Sequence, residues 1–123
     1  MKRSRFLASI ALAGALVPLG ASGAAADELS VDAVREVIRA NGHEVRACYE
    51  RHAMRQKEAT GKVLLDLVVR PEGKVDEVRV DAEGVRGNRF QRCVVEKARA
   101  WQFPESSGST EVQYPFRFQH TRT

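Results

Sequence analysis

Cys48 and Cys93 are the only cysteines in 123 residues, and what they do depends on the compartment in which the chain folds. Disulfides persist in oxidising, extracytoplasmic surroundings and are rare in the cytosol. The N-terminus bears on that choice. Met1-Lys-Arg-Ser-Arg5 is positively charged, an apolar stretch runs from Phe6 to about Leu19, and Gly20-Ala-Ser-Gly-Ala-Ala-Ala26 precedes the acidic pair Asp27-Glu28. This is the order of a secretory signal peptide over residues 1–26, with Ala24 and Ala26 suited to the minus-three and minus-one pockets of the signal peptidase. Cleavage is expected after Ala26. A retained membrane anchor is the alternative, but Pro18 and the Gly/Ala/Ser-rich end leave the apolar run shorter than the ~20 residues of a spanning helix. Ser4 separates Arg3 from Arg5, so the general secretory route is expected rather than the twin-arginine one. The expected location is periplasmic or secreted, with no membrane span after cleavage.

In that compartment Cys48 and Cys93 are expected to pair. A redox-active pair is more often spaced as CxxC, and two thiols without clustered histidines make a poor metal site. Residues 27–123 are then a single domain of 97 residues, small enough for one crosslink to matter.

Charge narrows the choice of partners. The whole chain has 20 Lys+Arg and 16 Asp+Glu, a formal net charge of +4. Lys2, Arg3 and Arg5 lie in the leader, so the mature chain carries 17 basic against 16 acidic residues. Without a basic surplus to neutralise phosphates, nucleic acid is not an expected partner.

Periodicity supplies the elements. Ser30 is a plausible N-cap, and Val34, Val37 and Ile38 form a short apolar stripe ending at Asn41-Gly42, which predicts a first short helix. Val45, Cys48, Tyr49 and Ala53 predict a second helix over about 43–57. Lys62 to Arg70 alternates as a strand, with Val63, Leu65, Leu67 and Val69 on the core face. Pro71-Glu-Gly-Lys74 is a turn signal, and Val75 to Ala82 returns as the partner strand. Asn88 is a candidate cap for a third helix carrying Phe90, Cys93, Val94, Lys97 and Trp101. Glu111 to Gln119 reads as a last strand with Val112, Tyr114, Phe116 and Phe118 on one face. Pro115 cannot donate to a ladder, so this strand is expected at a sheet edge. The predicted fold is α+β in the order α-α-β-β-α-β, with helices packed on one face of a three-stranded sheet.

Catalytic chemistry has little to work with. Cys48 and His52 stand four apart, a spacing at which thiol and imidazole could meet, but a disulfide cysteine beside a surface histidine explains both residues. His43 and His120 are isolated, and no GxSxG or phosphate-binding glycine loop is present. Asp76, Glu77, Asp81 and Glu83 suit a solvated hairpin face better than a Ca²⁺ loop. No catalytic residue, metal or cofactor is expected. The final strand is the candidate binding element, since an edge recruits extended partners by strand addition. Val112, Gln113, Tyr114, Phe116 and Phe118 are its candidate contact residues.

Val45-Arg-Ala-Cys-Tyr-Glu50, Gly61-Lys-Val63, Pro71-Glu-Gly-Lys-Val75, Cys93-Val94, Trp101-Gln-Phe-Pro104 and Val112-Gln-Tyr-Pro-Phe116 occur in an order that resembles the AgmX/PglI C-terminal domain family. That family is similar to the C-terminal domain of TonB, the energy transducer of bacterial envelopes. The resemblance covers about residues 31–119. It implies a TonB-like α+β fold whose bridge joins two helices through Cys48 and Cys93. It also implies the binding of an envelope or outer-membrane protein segment against the last strand, in outer-membrane transport or gliding-type machinery. A transducer carries an inner-membrane helix and a long Pro-rich spacer, which this sequence does not contain, so a binding module is expected rather than a force-transmitting one. The other reading is a structural component of an envelope complex with no peptide-recognition role.

Overall fold

The structure, a computed structural model, describes residues 27–119. The expected signal peptide and His120 lie outside the described residues. The first element is helix α1, Val31–His52. The Ser30 side chain accepts a hydrogen bond from the Ala33 N–H at 3.0 Å, satisfying one of the donors a helix start leaves unpaired. Asp32 in the first turn and Arg51 and His52 in the last complement the helix dipole.

This single 22-residue helix replaces the two short helices that the sequence predicts. Asn41 and Gly42 do not break it. Asn41 Nδ2 donates to the Val37 carbonyl one turn back, at 2.8 Å, so the amide binds within the helix instead of turning the chain. Gly42 marks a close approach: a Cβ there would stand 3.4 Å from Cε1 of Phe116. Val34, Ile38, Val45 and Tyr49 continue one stripe across the glycine at the helical period.

Strands β1 (Lys62–Val69) and β2 (Val75–Ala82) form the expected hairpin. Its turn closes through Arg70 N–H to the Lys74 carbonyl and Gly73 N–H to the Arg70 carbonyl, both 2.8 Å. Gly73 holds a φ of +91°, in the region that favours glycine. A Cβ at Gly73 would also overlap the Phe103 carbonyl. The segment after the second helix docks on this turn, with Phe103 N–H donating to the Gly73 carbonyl at 2.9 Å.

Helix α2 (Arg89–Arg99) buries Phe90, Val94 and Ala98. Asn88 precedes it without capping through its side chain; Oδ1 accepts instead from Arg92 Nη2 at 3.0 Å. Trp101 lies beyond the helix end, buried, and its indole N–H reaches Glu44 Oε1 on α1 at 2.7 Å. That bond to an ionised acceptor ties the end of α2 to the middle of α1. Strand β3 (Thr110–Arg117) pairs antiparallel with β1, and the sheet order is β2-β1-β3.

The element order is therefore α-β-β-α-β, a two-layer α+β fold with both helices on one face of the sheet. Val63, Leu65, Leu67 and Val69 of the central strand are at most 1% exposed and form the core floor with Ile38, Val45, Tyr49, Phe90 and Val94. The opposite sheet face is largely polar, with Asp66 set across from Arg79 on one side and Gln113 on the other. Helix α2 packs along β2, while α1 runs beside β3, meeting Phe116 at Gly42 and Phe118 at Tyr49.

Candidate binding edge and its disulfide frame

The structure joins Cys48 and Cys93 in a disulfide, with Cα atoms 5.7 Å apart, bridging α1 and α2. Both cysteines occupy inward helix faces because the apolar stripes put them there. The chain-entropy model assigns about 4 kcal/mol to closing a loop of this length, here 45 residues in sequence. No cysteine is free among the described residues, so Cys48 has no thiol to offer His52. No group of three or more His, Cys, Asp or Glu side chains that could hold a metal occurs among the described residues, and the acidic run of β2 lies along the hairpin.

β3 is at the sheet edge. Its backbone parity follows from one bond just past the strand: Phe118 N–H donates to the Gly61 carbonyl at 2.6 Å, in the same register as Lys62 opposite Arg117. Antiparallel ladders alternate, so residues 110, 112, 114 and 116 aim their backbone groups at β1 and residues 111, 113, 115 and 117 aim theirs outward. Pro115 therefore costs the sheet no ladder bond. The outer row offers N–H groups at Glu111, Gln113 and Arg117, and carbonyls at those positions and Pro115.

The side chains expected to contact a partner divide into two sets. Val112 and Phe118 are buried, the latter stacked on Tyr49 with ring centroids 4.7 Å apart. Tyr114 and Phe116 are half-buried, their rings 5.2 Å apart, and Phe116 stacks on Phe118 at 6.1 Å. This line of rings runs from the open edge into the core, where Tyr49 meets Phe90 edge-on. Burial raises the Tyr49 hydroxyl above its ordinary range. Gln113 lies on the opposite face, within 3.4 Å of Asp66.

Two clefts lie end to end between β3 and the outer stripe of α1. One, of about 380 Å³, includes Val31, Val34, Arg35, Val112 and Tyr114. The other, of about 480 Å³, includes Ile38, Arg39, Arg46, Phe116 and Phe118. The α1 contribution is hidden in the sequence because Asn41-Gly42 reads as a break between two short helices. Arg35, Arg39 and Arg46 recur at four and seven residues, a helical spacing visible only once the helix is continuous. An open strand edge beside an apolar, basic-walled groove defines a candidate surface for an extended peptide.

No protein-family model matches the chain, and neither a curated protein nor a solved structure matches it significantly.

Proposed function

We propose that this chain is an exported, non-enzymatic, TonB-like protein-binding module of the bacterial envelope. In this reading it takes an extended segment of an envelope or outer-membrane protein by strand addition to the outer edge of β3, within outer-membrane transport or gliding-type machinery. The observation that carries the proposal is the position of β3 at the sheet edge with its outward backbone row beside the α1 groove. Main-chain bonds to such a row supply affinity, and pockets for alternate side chains supply selectivity. The Cys48–Cys93 bridge accords with an oxidising compartment, and no described helix is long and apolar enough to cross a membrane. Pro115 interrupts the outward donors once, which discourages sheet-to-sheet self-association while leaving positions for a short guest.

Amide hydrogen exchange with candidate envelope peptides tests this reading. Productive binding slows exchange at Glu111, Gln113 and Arg117, whose N–H groups face outward. Unchanged exchange there with every envelope partner removes the edge-strand proposal. The second reading, a structural part of an envelope complex, draws on the other edge: β2 has no proline, and its outward row falls at Val78, Val80 and Ala82. A stable stoichiometric complex that slows exchange on β2 alone favours that reading.

A further inference from the structure

The groove beside β3 has an apolar floor and a basic wall. Arg35, Arg39 and Arg46 line it from α1. Among the described residues Arg35 and Arg39 form no ion pair, and Arg46 meets only Glu50, at 3.8 Å with both side chains more than half exposed. Such an exposed pair holds its arginine weakly. Arg46 also lies 5.8 Å from the Phe118 ring centroid, over the middle of the aromatic line. Glu111 is the acidic residue among those at the clefts, and strand alternation turns its side chain to the opposite sheet face with Gln113. The middle of the wall is cationic: Asp32 and Glu50 share this side of α1 but lie beyond Arg35 and Arg46 at its two ends, and neither lines the clefts.

Resting on the strand-addition reading above, we infer that the guest is an acidic extended segment with two carboxylates four residues apart and an apolar residue midway between them. The spacing comes from two rises. Eleven helical residues from Arg35 to Arg46 cover about 16 Å. Four strand residues cover about 14 Å, and positions i, i+2 and i+4 share one face. A guest paired to β3 turns that face into the groove. Its central apolar side chain then meets Tyr114 and Phe116, and the flanking carboxylates meet Arg35 or Arg39 at one end and Arg46 at the other. Arginine suits this role because its planar fork binds carboxylates in a bidentate manner.

Three nine-residue peptides test the inference, identical except at the two flanking positions, which carry Glu, Gln or Lys around a central Leu. Binding is measured by titration at low and high salt, with hydrogen exchange on β3 in parallel. The Glu peptide is expected to bind about tenfold or more tighter than the Gln peptide at low salt, with the difference shrinking as salt screens the charges. The paired Arg39→Glu and Arg46→Glu variant is expected to reverse the order in favour of the Lys peptide. Both positions are exposed, so an unchanged unfolding midpoint checks that the variant keeps its fold. Equal binding of Glu and Gln peptides, with β3 protected in both, overturns the charge assignment and leaves strand addition standing. Binding by none of the three, with β3 unprotected, overturns both. Retention of the Glu preference by the double variant also overturns the inference.

Discussion

Cys48 is fully buried, and its partner Cys93 is half-buried on the facing helix, so the crosslink replaces packing that so small a two-layer domain would otherwise have to supply. Cys48→Ser leaves an unpaired hydroxyl in the core and frees a 45-residue loop. A loss of about 2–5 kcal/mol is expected, read as a shift in the denaturant midpoint with little change in slope. Tyr49 carries a different signature. Burial favours its neutral phenol, so the folded-state pKa lies above the unfolded one. The resulting stabilisation is fully present below about pH 10, the unfolded value, and is lost as pH rises through the higher folded value. Stability measured from pH 8 to 12 is therefore expected to fall above pH 10. Tyr49→Phe should start lower, having lost its polar group, and should show a shallower alkaline decline; an equally steep decline would assign the effect to other groups.

The elements differ in how openly the sequence announces them. Both strands of the hairpin and the turn between them follow from alternation and from Pro71 and Gly73, because those signals act over a few residues. Helix α1 was harder to read. Asn41-Gly42 resembles a helix stop, yet neither residue breaks the helix: the Asn41 amide bonds to Val37, and Gly42 sits in the helix with Phe116 packed beside it. Gly42→Ala discriminates the two arrangements. In a continuous helix the alanine gains up to about 1 kcal/mol of propensity against a contact at ordinary van der Waals distance from Phe116. A small rise in stability is therefore expected by thermal unfolding, whereas a chain break at a left-handed glycine would make alanine destabilising.

At the scale of the molecule, helices cover one sheet face and, among the described residues, no further strand pairs with β2 or β3, so binding chemistry concentrates at the flanks. The flanks are unequal. β3 offers a groove walled by arginines and a donor row broken once by Pro115, while β2 offers an unbroken row beside α2. Alternation, turn residues and the missing N–H of Pro115 alone determined the α+β class, the hairpin, the edge character of the proline-bearing strand and the side of each helix that carries its cysteine, since each is a property of a few neighbouring residues. The tertiary structure decided the rest. The union of two apparent helices, the outward aim of Pro115, the burial of Phe118 under Tyr49 and the meeting of α1 arginines with the β3 edge all arise from contacts between residues far apart in the chain. Their energy depends on what packs across the gap, which no local pattern encodes.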